Sequence, residues 1–116
     1  MDIICISSSL NHMFRTFSTT SINKKTLFTI YSYSHTLNTL ILVDCGIRIL
    51  PEDFFFFLSC LEFVDLRQNF LISLPISLSY HPKIETMLLS GNLFTTIPSV
   101  LYTLPKLKFH DLIGEK

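Results

Sequence analysis

Four histidines, three cysteines and a scatter of serines and aspartates are the residues of this chain that could do chemistry. Their spacing decides which chemistry is open to them. Zinc sites draw His and Cys from short fixed intervals, and catalytic zinc helices carry H-E-x-x-H. Here His12, His35, His81 and His110 stand far apart, and Cys5, Cys45 and Cys60 form no C-x-x-C pair. No G-x-S-x-G elbow accompanies the Ser, His and Asp residues, so a hydrolase triad has no support. Three glycines without a G-x-x-x-x-G-K spacing leave nothing to cradle a phosphate. Cys45 has only Arg48 near it to favour a thiolate and reads as a small buried side chain. His81, just ahead of Pro82, reads as a half-exposed packing residue. The expectation is a chain that is not an enzyme, with no catalytic residue, no cofactor and no metal.

Composition narrows the class further. The chain has 116 residues, 48% of them hydrophobic, with a mean hydropathy of +0.45, which is too apolar for a mostly disordered polymer. Nine basic and nine acidic residues balance to zero. That balance leaves no electrostatic footprint for nucleic acid or an acidic membrane surface. Asp44 interrupts the best apolar run, Leu40 to Val43, so no membrane-spanning window exists. The opening Met-Asp-Ile-Ile-Cys lacks the basic start of a signal peptide. An odd number of cysteines argues for reduced thiols, and so for the cytosol or nucleus.

The elements that position these residues emerge from self-comparison. Leu50-Pro51, Leu74-Pro75 and Ile97-Pro98 are spaced by 24 and then 23 residues, and Pro82 and Pro105 repeat at 23. Sliding the sequence by this period aligns blocks 37–60, 61–83 and 84–106, with a partial block 107–116. Each complete block is apolar at positions 1, 4, 6, 11, 14, 18 and 21, with Pro at 15. His81 is the single exception, so twenty of 21 slots fit. Chance gives that on the order of once in 10⁵ for a fixed register. Position 9 carries Cys45, Asn69 and Asn92, side chains suited to hydrogen-bonding backbone where a strand turns away.

The pattern L-x-x-L-x-L-x-x-N/C-x-L resembles the leucine-rich repeat family, and its 23-residue Leu-Pro form is similar to the short intracellular class of Ras-suppressor-type scaffolds. The resemblance covers residues 37–116. It implies an α/β solenoid: an arc with a short parallel sheet on its concave face, strands at positions 3 to 5, and irregular or 3₁₀ returns on the convex side. Pro suits the start of a return because it fixes φ and gives up a ladder donor. Inward Leu, Ile and Phe are buried only by the neighbouring repeat.

Residues 1–36 do not keep the register, and half of residues 7–36 are Ser, Thr or Asn. Two readings stay open there: a degenerate N-terminal cap or a flexible lead. Leu27 to Tyr33 is rich in strand formers and compatible with one edge strand. In the Phe54–Phe57 run, the period puts Phe54 and Phe57 in core slots. Phe55 and Phe56 are then left for the convex surface or for partial burial in the longer first block. At the other end, Leu107, Leu112 and Ile113 are expected to line an uncovered core end, with His110 in a normally apolar slot.

In the implied fold, positions 3, 5, 7 and 8 project from the concave face. They gather Thr39, Phe63, Thr86 and Phe109 in one row, and Ile41, Asp65, Leu88 and Asp111 in the next. Arg67 shares a strand with Phe63 and Asp65, although Asp65 paired with Arg67 and solvated is the bland alternative. Aromatics and Arg beside apolar neighbours form the mixture found at interface hot spots. The expected function is a non-enzymatic interaction module taking a protein or peptide on Phe63, Asp65, Arg67, Phe109 and Asp111. The Phe residues would anchor and the charges orient. The rival expectation is a truncated structural fragment of a larger repeat scaffold with no binding role of its own, because three full repeats are near the minimum for stability.

Overall fold

The computed structural model describes residues 2–7 and 24–112. Five strands lie side by side in sequence order: β1 (Asp2–Ser7), β2 (Leu37–Val43), β3 (Phe63–Asp65), β4 (Thr86–Leu88) and β5 (Phe109–His110). Every pairing is parallel, so β2, β3 and β4 are each followed by a return to the start of the next strand. The register keeps the sequence period: Thr39 pairs with Phe63, Phe63 with Thr86, and Thr86 with Phe109. Among the described residues a short helix, α1 (Lys24–Tyr31), precedes β2.

The strands form where they do because their side chains alternate between two environments. Positions 1, 4 and 6 turn inward, and Leu37, Leu40, Leu42, Leu61, Val64, Leu66, Ile84, Met87 and Leu89 are all buried. Ile47, Leu71 and Phe94 extend that core below the strand exits, and Phe54, Leu78 and Leu101 close it from the returns. Burying each such side chain stabilises the fold by about 1.5–3 kcal/mol relative to exposure.

Proline starts each return with its φ preset. Phe54 N–H donates to Pro51 O at 3.0 Å, Leu78 N–H to Pro75 O at 3.1 Å and Leu101 N–H to Pro98 O at 3.1 Å. The second and third of these turns belong to 3₁₀ segments, Ile76–Leu78 and Ser99–Thr103. Side chains then bind one return to the next. Ser77 Oγ accepts from Phe55 N–H at 3.1 Å, and Thr103 Oγ1 accepts from Tyr80 N–H at 2.9 Å.

Position 9 connects the strand exits. Asn69 Oδ1 accepts from Cys45 N–H (2.9 Å) and Ile47 N–H (3.1 Å) in the preceding repeat. Its Nδ2 donates to Leu42 O (2.8 Å) and Leu66 O (2.9 Å). Asn92 repeats the arrangement one step on, accepting from Leu71 N–H and donating to Leu66 O and Leu89 O, each at 2.9 Å. Directly before these residues, position 8 is left-handed in every complete repeat: Asp44 has φ 55°, Gln68 61° and Gly91 76°. At Gly91 an added Cβ would lie 2.5 Å from Gln68 Nε2, so glycine there also makes room for its neighbour.

Several sequence expectations change. Phe55 is buried whereas Phe57 is 45% exposed, the reverse of the periodic assignment. The reason is the one-residue insertion of the first repeat. Pro51 to Leu58 spans seven residues where Pro75 to His81 and Pro98 to Leu104 span six. The extra residue falls within the Phe run, and Leu58, fully buried, takes the slot assigned to Phe57. Residues 27–33 form no edge strand. Thr26 and Ile30, four residues apart, are buried, with Leu27 and Tyr31 packed beside them, so one helical face of α1 covers the core. The strand that pairs with β2 comes from residues 2–7 instead. At the far end Leu112 is fully buried and Leu107 partly so, rather than lining an open core end, while Ile113 lies outside the described residues.

These bonds make a ranked prediction. Asn69→Ala leaves two buried N–H donors and Leu42 O without their partner, and is expected to cost about 3 kcal/mol or more. Asn92→Ala, with a less buried set, should cost about 2 kcal/mol. Urea unfolding midpoints of the two variants check the order, and an Asn69 variant no weaker than the Asn92 variant would contradict it.

Candidate functional site

The side chains between the core positions point to the other side of the sheet. Position 3 lines up Ile3, Thr39, Phe63, Thr86 and Phe109 through the strand register. Ile3 is 61% and Phe109 52% exposed, while Thr39, Phe63 and Thr86 are half-buried. Position 5 brings Ile41, Asp65 and Leu88 together, with Asp111 on the stretch that continues β5. No described helix or strand packs over this face. Helix α1 contributes Ile30 to the core on the opposite side. The connections of a parallel sheet commonly cover both sides, whereas among the described residues no helix or strand lies over this one.

The charges on the face are fixed by geometry. Arg67 Nε donates to Asp65 Oδ1 at 2.9 Å and Nη2 to Asp65 Oδ2 at 2.7 Å, a bidentate pair. Arg67 backbone N–H adds a third bond to Asp65 Oδ1 at 3.1 Å. Asp65 is only 3% exposed, so it is a buried carboxylate rather than a solvated one. The hydrogen-bonded Asp65 carboxylate holds the Arg67 guanidinium above its ordinary range, and the charge of Asp111 reinforces this against the effect of burial. Asp111 Oδ1 accepts from Leu89 N–H at 2.6 Å and Ser90 N–H at 3.1 Å.

The five residues expected to bind therefore take different places. Phe63, Arg67 and Phe109 are presented on the face. Asp65 is spent on Arg67, and one oxygen of Asp111 is spent on the exit of β4. The sequence reading missed Ile3, because Ile3, Ile4 and Ile6 were weighed only as a targeting segment and not as an alternating strand.

Away from this face, Cys45 and Tyr31 are engaged in packing. Cys45 is buried, with Sγ 3.4 Å from Val43 O. Tyr31 stacks edge-on against Phe57 at 5.4 Å. Its buried Oη has no hydrogen-bond partner among the described residues. Burial, with Asp53 nearby, pushes its pKa up to about 12. Among the described residues no three His, Cys, Asp or Glu side chains group to hold a metal ion. No described helix is long and apolar enough to cross a membrane. No protein-family model, curated protein or solved structure matches the chain.

His81 is buried, 3% exposed, rather than half-exposed. Its Nε2 lies 2.9 Å from Leu58 O, which only accepts, so Nε2 carries the proton. Nδ1 accepts from Lys83 N–H at 3.3 Å, so it carries none. The neutral ring satisfies both nitrogens, and a second proton would face an N–H donor. Burial and, to a lesser extent, the charge of Lys83 lower the pKa, only partly opposed by the Leu58 carbonyl.

Two predictions follow from these geometries. The unfolded chain protonates His81 near its ordinary value of 6.5, and the folded chain only at lower pH. The stability contributed by this group is thus fully present above that value and is lost as the pH falls through the folded pKa. Urea midpoints between neutral pH and pH of about 5 should fall more steeply for the native chain than for His81→Gln. Parallel curves would refute this. For the ion pair, Arg67→Ala strands the buried Asp65 carboxylate. Water reaching the half-exposed arginine site limits the loss to about 1–2 kcal/mol. Asp65→Asn combined with Arg67→Ala should recover part of that loss in a double-mutant cycle.

Proposed function

We propose that the chain is a leucine-rich repeat solenoid, and that it serves as a non-enzymatic protein–protein interaction module. In this reading the open sheet face is the concave face, and a protein or peptide lies across it. Support for the repeat assignment comes from the strand register that follows the 23- and 24-residue period. The left-handed residue at position 8 and the amide at position 9 support it as well. The proposal places the protein in the cytosol or nucleus, in keeping with its odd, irregularly spaced cysteines.

The observation that carries the functional reading is the composition of the face over which no described helix or strand packs. Phe109 and Ile3 stand out from it, Phe63 lies half-buried between them, and Arg67 is held in place by the bidentate pair with Asp65. Rigid aromatic and arginine side chains lose little freedom on binding, which is why such residues dominate interface energies. Asp65 acts here by positioning Arg67, and Asp111 by fixing the exit of β4.

A peptide library displayed on phage and selected against the immobilised chain tests the reading. Selected peptides should bind Phe63→Ala and Phe109→Ala at least about tenfold more weakly than the native chain, a loss of roughly 1.4 kcal/mol. Tyr102→Ala, on the return side and 74% exposed, should leave binding unchanged. Peptides that lose affinity for the Tyr102 variant and keep it for both Phe variants would place the binding surface on the returns and overturn the proposal.

A further inference from the structure

The open face alternates strand by strand. β2 and β4 present a threonine and an aliphatic residue, Thr39 with Ile41 and Thr86 with Leu88. β3 presents Phe63 with Asp65, and the stretch through β5 presents Phe109 with Asp111. Strand neighbours in a sheet lie about 4.8 Å apart, so the Phe63 and Phe109 backbones stand about 10 Å apart with the smaller Thr86 between them. The result is a notch over β4. Its floor is Thr86 and Leu88, both half-buried with no described helix or strand over them, and Phe63 and Phe109 stand on either side.

One end of this notch carries the charges of the face. Asp65 and Asp111 are two carboxylates against the single guanidinium of Arg67, and both act on that guanidinium. The set therefore has a formal charge of −1, given by two acidic residues and one basic. Arg67 has already given two side-chain N–H groups to Asp65, so its charge is largely answered within the face. A carboxylate entering the notch would meet net negative charge. A cation would meet Asp111 between two aromatic residues, whose rings attract positive charge.

Resting on the interaction reading above, we infer that the notch between Phe63 and Phe109 takes a basic side chain, lysine or arginine, from the partner segment. Its aliphatic stem lies along Thr86 and Leu88, where apolar contact is available at no cost to the charged tip. The tip reaches toward Asp111. Phe63 and Phe109 flank the stem and add attraction to the cation.

Amide-resolved NMR titration of the full chain tests this with three small probes that differ in the charge of an unbranched side chain: Nα-acetyl-lysine, Nα-acetyl-norleucine and Nα-acetyl-glutamate N-methylamides. The lysine probe should shift the amide signals of Thr86, Leu88 and Phe109, and bind more tightly than the other two. Asp111→Asn keeps an oxygen for the Leu89 and Ser90 N–H groups while removing the charge, and should weaken lysine binding roughly three- to fivefold. Phe109→Ala, at a half-exposed position, should weaken it comparably. Norleucine binding as well as lysine, glutamate binding better, or an Asp111→Asn variant that binds lysine unchanged would each overturn the inference. Shifts on the face from norleucine or glutamate alone would leave the interaction reading standing. Silence of all three probes there would count against both.

Discussion

The buried amide of Asn69 is the interaction on which the rest of the structure depends. Where β2 and β3 end, the chain must turn from sheet to return, and that turn buries backbone N–H and C=O groups away from water. A buried backbone group without a partner costs more than a formed hydrogen bond contributes, so each must be answered locally. One asparagine answers groups of two successive repeats at once, because its oxygen faces Cys45 and Ile47 and its nitrogen faces Leu42 and Leu66. A carboxylate only accepts, and a hydroxyl has one hydrogen to donate where the Asn69 amide nitrogen serves two carbonyls. Asn92 does the same between the next pair of repeats. The parallel register is thus enforced at the strand exits, beyond the three-residue strands themselves.

This dependence explains what could be read in the sequence. Positions that recur in every repeat were legible because each is buried by its own counterpart one repeat away: Leu40, Val64 and Met87, or Leu42, Leu66 and Leu89. Proline at position 15 announced the returns, and the residues at position 9 announced the ladder. Where a residue has no counterpart, the pattern lost its force. The insertion in the first repeat shifted the Phe run by one, so that Phe55 entered the core and Phe57 left it. Helix α1 and strand β1 lie ahead of the first repeat, and β-rich composition alone did not distinguish helix from strand. In α1 the tertiary burial of Thr26 and Ile30 overrode the strand preference of their side chains.

The open face was legible as a set of positions and less so as a set of roles. Alternation along β3 places Phe63 and Asp65 on one side, and Arg67, two residues past its end, is tied to Asp65. Which of them faces solvent depends on distances that no pattern encodes. Asp65 sits beneath Arg67 with both oxygens taken by it, and Asp111 caps the exit of β4 from the neighbouring strand. His81 shows the same limit from the core side. It breaks an apolar row yet is as buried as its leucine counterparts, because the Leu58 carbonyl and the Lys83 N–H satisfy both ring nitrogens. A polar residue in an apolar slot signals a partner, and only the fold says which.

The rim of the face inherits its geometry from the same turn. For the amide at position 9 to point inward, the residue before it must reverse the chain, and position 8 is left-handed in all three complete repeats. Placing Gln68 there costs of order 1 kcal/mol that glycine would not incur. The turn persists because Asn69, next in sequence, over-determines the backbone with its hydrogen bonds. Gly91, one repeat on, has no such strain, and its missing Cβ is the space that the Gln68 amide occupies. The side chain of one strained position is therefore accommodated by the glycine at the equivalent place in the next repeat. The edge that borders Arg67 is thus built from the same hydrogen bonds that hold the repeats in register.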